Sequence, residues 1–262
     1  MISHELRCVF VHVPKAAGQS VERAFLDEHG LSWNDRAPLL LRRRVDESEG
    51  PPRLAHLTAA EYVRFGHLTR AQWDEYFTFA VVRDPWARVV SMYRHFGEHR
   101  RISFDRFVLD ELPHRYWHER RWFVRPQVEF LVDDDDELLV DQVIRMEQLD
   151  EGFADVARRV GLRSHRIRRS NSSSARPWQL RSVRELQHPI DLVVGSVRQF
   201  RNERQQPYRS RSSAAVIDRV GELYERDVVR FGYAPPRSAQ RVLGRAAGDR
   251  VALHASPSAS GS

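Results

Sequence analysis

The sequence predicts an α/β fold, with a central parallel sheet covered by helices on both faces. Three observations carry that reading. Two segments repeat the order strand, turn, helix: "LRCVFVHV" runs through "PKAAG" into "SVERAFLDE", and "FTFAVV" runs through "RDP" into "WARVVSMYRHF". Their strands are apolar at nearly every position rather than alternately, as strands buried on both faces are. At 262 residues and 41% apolar content, with 13 Phe, 6 Trp and 7 Tyr, the chain can also fill a sizeable core.

The elements follow in order. Residues 6–13 form the first strand, and residues 20–28 place Val21, Ala24 and Phe25 on one helical face. Residues 34–53 mix an apolar triplet, an arginine run and a Gly-Pro-Pro break, which marks a surface insertion. Thr69 caps a short helix, "RAQWDEY", before the strand at residues 77–82, which stops at Arg83. Asp84 then occupies an N-cap position, and Pro85 the first helical position, where its missing N–H costs nothing. "RPQVEFL" reads as helix, "DDDDE" as loop and "LLVDQVIRMEQL" as a third strand ending at Glu147, followed by the helix "DEGFADVARRVGL".

Residues 163–178 are basic, Ser-rich and irregular, and residues 213–233 form the last helix, with Val216, Val220, Leu223, Tyr224 and Val228 near helical spacing. One catalytic domain thus spans residues 1–235. Residues 236–262 have little to bury and read as a flexible tail.

The net charge of +6 and pI near 9.9 favour phosphate-bearing or polyanionic partners, although an arginine-rich composition also follows from genome base composition. The single cysteine, Cys8, cannot form an internal disulfide; a buried, inert thiol in a reducing compartment is its expected state. No window approaches the roughly 18 apolar residues of a spanning helix, and no signal-peptide pattern precedes the first strand, so the expected location is cytoplasmic.

The first turn holds the chemistry. A loop that leaves a parallel strand and opens a helix presents unpaired N–H groups at the positive end of the helix dipole, a ready anion site. Gly18 lets the backbone approach a ligand, and Ser20 adds a hydroxyl at the helix start. Lys15 adds a compact point charge, and it is the only lysine among the 42 lysines and arginines of the chain. A Walker A loop, G-x-x-x-x-G-K-[ST], carries its lysine after the second glycine, whereas Lys15 precedes Gly18 by three residues. An ordinary ATP or GTP cradle is therefore disfavoured.

The second turn adds Arg83 at a strand's carboxyl end, with Arg88 and Ser91 three apart on the next helix and so on one face. Ligands of open α/β sheets bind at the carboxyl ends of strands, where both Lys15 and Arg83 fall. One ligand with two separated anionic groups, such as a nucleotide phosphorylated at both 5′ and 3′ positions, fits both turns. A structural ion pair of Arg83 or Arg88 with Asp84 or Glu22 fits the same residues.

With both turns in view, "HVPKAAGQS" resembles the 5′-phosphosulfate loop, and "VVRDPWARVVSMY" the 3′-phosphate motif, of sulfotransferases that use 3′-phosphoadenylyl sulfate (PAPS), in the family of the carbohydrate sulfotransferases and their bacterial relatives. The resemblance continues in order through "GHLTRAQWDEYFTFAVVRDPW", "PQVEFL", "DQVIRMEQLDEGF", "SNSS" and "LYERDVVRFGY". It implies a P-loop-like fold, PAPS as donor and PAP as product without a metal, and a glycan or small-metabolite hydroxyl as acceptor. It also implies that Lys15, Ala16, Ala17, Gly18, Gln19 and Ser20 hold the 5′-phosphosulfate, and that Arg83 and Ser91 take the 3′-phosphate. Ala16 and Gln19 stand where the family usually carries threonine, which leaves more of the binding to the backbone, Lys15 and Ser20.

Sulfuryl transfer needs positioning, neutralisation of the leaving oxygens and a base for the acceptor hydroxyl. Lys15 supplies the charge. His67 in "RFGHLT", where related enzymes carry a catalytic histidine, is the candidate base, with Glu22 and His12 as lesser options. Gln127 matches a family position near the acceptor, and helix packing accounts for its polarity equally well. The basic loop with Arg166, Arg168, Arg169, Asn171 and Ser172 is a candidate to close over PAP or the acceptor, or a solvated surface. Two other functions are compatible with less of the sequence: a nucleotide kinase would share the fold but lacks Walker A here, and a basic nucleic-acid-binding protein lacks any spaced aromatic-plus-basic signature.

Overall fold

A single four-stranded sheet in the order β1-β2-β3-β4 organises the computed structural model, which describes residues 1–167 and 213–236. β2 (Cys8–Val11) and β3 (Phe77–Val82) are parallel neighbours with Phe10 opposite Phe79, and β3 is parallel to β4 (Gln142–Arg145) with Ala80 opposite Val143. β1 (Ile2–Ser3) instead pairs antiparallel with β2. The sheet is therefore mixed rather than wholly parallel. Two residues cannot display a period, so this edge strand left no mark in the sequence pattern.

Every residue of β2 and β3 is buried, as their continuous apolar runs require. Phe10 stacks on Phe79 at 5.0 Å between centroids, and Phe79 on Phe25 at 6.1 Å. Phe25 comes from α1 (Gly18–Glu28), which turns Val21, Phe25 and Leu26 to the core. Full burial of one such phenyl is worth about 1.5–3 kcal/mol. Two short helices precede β3: α2 (Ala59–Arg64) and α3 (Arg70–Glu75), each opened by a reciprocal capping box, Thr58 with Glu61 and Thr69 with Gln72. α4 (Pro85–His95) follows β3 and buries Trp86, Val89 and Met92, while α5 (Leu149–Val160) follows β4 and buries Phe153, Val156 and Ala157.

Several expected elements differ. The third strand ends at Arg145, and Glu147 lies in the 3-10 turn Met146–Gln148. "RPQVEFL" yields only the 3-10 turn Val128–Phe130, after a short helical turn at Arg121–Val124. The last helix is two, α6 (Ala214–Leu223) and α7 (Glu225–Phe231), broken at Tyr224, whose hydroxyl donates to the Val124 carbonyl at 2.9 Å. Between α4 and β4 a helical run that the pattern did not reveal passes through Phe104–Arg106, Phe107–Tyr116 and Trp117–Glu119. Its middle part has the wider π geometry around Pro113, which offers no N–H and whose ring crowds the preceding turn.

Residues 168–178 of the basic segment, and the tail from residue 237, lie outside the described residues. Among the described residues no helix is long and apolar enough to cross a membrane. What matters for the site is that the turns after β2 and β3 leave neighbouring parallel strands at the same, carboxyl, edge of the sheet.

Candidate active site

The first turn is held in a costly shape. Lys15 has φ 69° and Ala17 φ 61°, both left-handed, at about 1–2 kcal/mol each for a residue with a Cβ. Ala17 is the N-cap of α1, yet no side chain caps the helix and its first turn holds no acidic residue. The positive end of the helix thus faces the turn with no side-chain cap and no carboxylate in its first turn. Gly18 is constrained from beneath: a Cβ there would fall inside the His12 imidazole. Ser20 is buried and Gln19 exposed.

Lys15 is half-buried, and burial, then the charge of Arg83, pulls its pKa down. The two turns meet directly: Arg83 Nη1 donates to the Lys15 carbonyl at 3.2 Å. Gln127, fully buried, clamps the Arg83 backbone from both sides, accepting from its N–H at 2.9 Å and donating Nε2–H to its carbonyl at 2.7 Å. Asp227 of α7 accepts the N–H groups of Gln127 and Val128, both at 2.9 Å, and burial raises its carboxyl pKa. The amide of Gln127 is therefore committed to Arg83 in this structure.

Arg88 forms neither of the ion pairs that its sequence context allowed. Arg88 is 1% exposed, and its guanidinium donates to three carbonyls, Pro14 at 3.0 Å, Arg125 at 3.0 Å and Phe123 at 3.1 Å. Asp84 and Glu22 are engaged elsewhere, because Asp84 caps α4 and Glu22 bonds His12. Arg88 thus staples the first turn, through Pro14, to the segment that ends in Gln127.

The second turn has a satisfied backbone. Asp84 accepts the Ala87 N–H at 2.8 Å, and its own N–H donates to Glu147 at 3.1 Å, a carboxylate that also takes the Tyr233 hydroxyl at 3.1 Å. Arg83 is half-buried, and burial lowers its pKa against the opposing charges of Glu147 and Asp84. Ser91 lies half-buried in the second turn of α4, three residues beyond Arg88.

Three histidines have distinct surroundings. His67 donates Nε2–H to the Glu49 carbonyl at 2.7 Å; since a carbonyl only accepts, this fixes the tautomer and leaves Nδ1 as an acceptor. His12 donates Nδ1–H to Glu22 at 2.6 Å, so the two lesser base candidates are partners of each other beneath the first turn. His95, at the end of α4, stacks on Phe123 at 5.1 Å; burial and the charges of Lys15, Arg53 and Arg120 push it down to about 4. Sequence reasoning missed His95, although it lies seven residues after Arg88, on the same helical face.

The Arg125 guanidinium lies over the Phe130 ring, 5.5 Å from its centroid. Among the described residues its Nε is the buried side-chain nitrogen or oxygen without a hydrogen bond. No cluster of His, Cys, Asp or Glu among the described residues could hold a metal ion. Of the basic loop, Arg166 is exposed, and Arg168, Arg169, Asn171 and Ser172 lie outside the described residues.

Two cation-bearing turns thus meet at adjacent strand ends of an α/β sheet, the edge at which ligands of such sheets gather. The model of the sulfotransferase family matches residues 1–234, and the chain belongs to that family. It is accordingly a transferase, and its general chemistry is sulfuryl transfer. No curated protein and no solved structure matches the chain.

Proposed function

We propose that the protein transfers a sulfuryl group from PAPS to the hydroxyl of a glycan or small metabolite and releases PAP. The observation that carries this reading is the 3.2 Å bond from Arg83 to the Lys15 carbonyl, which makes the two motif turns one site able to meet a donor with anionic groups at both ends. The residues present suit such a donor: an α1 N-terminus without a side-chain cap, and a desolvated lysine and arginine, call for negative charge.

PAPS supplies the activated sulfur. The backbone of residues 15–20 and Lys15 hold the 5′ end, Lys15 neutralises charge growing on the leaving phosphate oxygen, and Arg83 with Ser91 takes the 3′-phosphate. Partial burial strengthens each of these contacts. His67 Nδ1 accepts the proton of the acceptor hydroxyl as the new O–S bond forms; the S–O bond to the phosphate breaks, and its electron pair leaves with PAP. The Glu49 carbonyl keeps the His67 ring in the tautomer that this task needs.

Thermal unfolding with PAP, AMP and ATP-Mg²⁺ tests the donor, because a ligand of the native state raises the melting temperature. PAP is expected to give the largest shift. A shift with ATP-Mg²⁺ and none with PAP overturns the proposal in favour of a nucleotide kinase.

A further inference from the structure

We propose that His12 and Glu22 form a positioning pair for the donor cradle, in which His12 holds the Glu22 carboxylate away from the bound anion while its ring fixes the height of Gly18. The role rests on the turn being the donor cradle. The two side chains are 8% and 5% exposed and joined at 2.6 Å, His12 from just past β2 and Glu22 from the second turn of α1. Helical side chains lean toward the N-terminus, so Glu22 points at the very helix end that would bind the anion. A buried carboxylate there is drawn to the same positive dipole as the donor and repels it through a medium with little screening.

His12 answers that problem in two ways. Its Nδ1–H engages a Glu22 oxygen and turns the carboxylate toward the strand. The other side of the ring occupies the space where residue 18 would carry a Cβ, so the first turn of α1 rests on imidazole. The ring cannot swing aside: it stacks on Phe10 at 5.5 Å and meets His56 edge-on at 4.5 Å, and His56 Nδ1–H donates to the His12 carbonyl at 3.0 Å. Nothing in the transfer step uses either group, yet both are buried and polar, which a purely apolar floor would avoid.

The test is a double-mutant cycle read by PAP affinity in calorimetry, with circular dichroism confirming the fold. His12→Gln is expected to weaken PAP binding by about tenfold or more, Glu22→Gln to stay within about threefold of wild type, and the double variant to recover most of the loss. A role limited to packing predicts the reverse for the double variant, which loses two buried partners. The proposal is overturned if His12→Gln binds PAP as wild type does, or if adding Glu22→Gln restores nothing. Should His12→Gln fail to fold, Glu22→Gln alone decides, and a tenfold loss of affinity in that variant is equally fatal. If wild-type protein binds inorganic pyrophosphate or sulfate but not PAP, the donor reading fails, and the same cycle run with the inorganic anion still judges the pair.

Discussion

The turns after β2 and β3 begin alike, as buried apolar strands running into helices of 11 residues, and then treat the helix start in opposite ways. At α4 the chain caps itself: Asp84 takes the Ala87 N–H, Pro85 removes a donor, and Glu147 takes the Asp84 N–H. At α1 there is no side-chain cap, and two residues with side chains sit in left-handed conformations. A helix start satisfied from within can offer a ligand only side chains, here Arg83 and Ser91. One left open and strained offers backbone, and strain of this kind persists where the surrounding structure imposes it.

The largest effect expected at the open turn is on catalysis. Lys15→Ala should abolish sulfuryl transfer, and Lys15→Arg should lose most of it, measured as product formed from PAPS; full activity with arginine would show that the site accepts any cation. Gly18→Ala comes next, because the new methyl collides with His12; PAP affinity should fall by about tenfold or more in calorimetry. At the self-capped turn the loss should be one of stability: Asp84→Ala is expected to cost about 1 kcal/mol in urea unfolding. If Asp84→Ala instead removed PAP binding at unchanged stability, the contrast between the turns would be broken.

Acid sets a milder test. Burial, followed by the charge of His12, holds the pKa of His56 well below its ordinary 6.5, so the unfolded chain binds a proton there that the native one refuses. The contribution of His56 to stability is therefore complete above that value and is lost as the pH falls below it. Urea midpoints at pH 7 and pH 5 should drop accordingly, with a smaller drop in His56→Asn. The smallest effect is a gain: Ala17→Gly relieves a left-handed alanine, partly offset by added freedom in the unfolded chain, and should raise stability by up to about 1 kcal/mol. Weaker PAP binding in the same variant would show that the strained turn is preorganised for its anion.

What was legible in the sequence was local. The strand at residues 77–82, the caps Thr69 and Asp84, and Pro85 at the first helical position depend on neighbours within four residues, and each appears as read. The rule that ligands gather at strand ends placed Lys15 and Arg83 on one edge, and β2 and β3 proved adjacent. The hidden features all depend on distant partners. Gln127 holds Arg83 across 44 residues, and Asp227 holds Gln127 across 100. An arginine that grips three carbonyls, as Arg88 does, is spelled the same as one that pairs with a carboxylate. His95 was one of 12 histidines, and only the approach of Phe123, Lys15, Arg53 and Arg120 sets it apart.

The bonds from Asp227 to Gln127, and from Gln127 to Arg83, also bear on how the molecule is made. A ribosome delivers Lys15 and Arg83 early, whereas the carboxylate that secures the clamp on Arg83 emerges near the end of the described chain. During synthesis the nascent protein therefore carries its cations in sequence well before it can hold them in register, and the clamp on Arg83 is completed late, with α7.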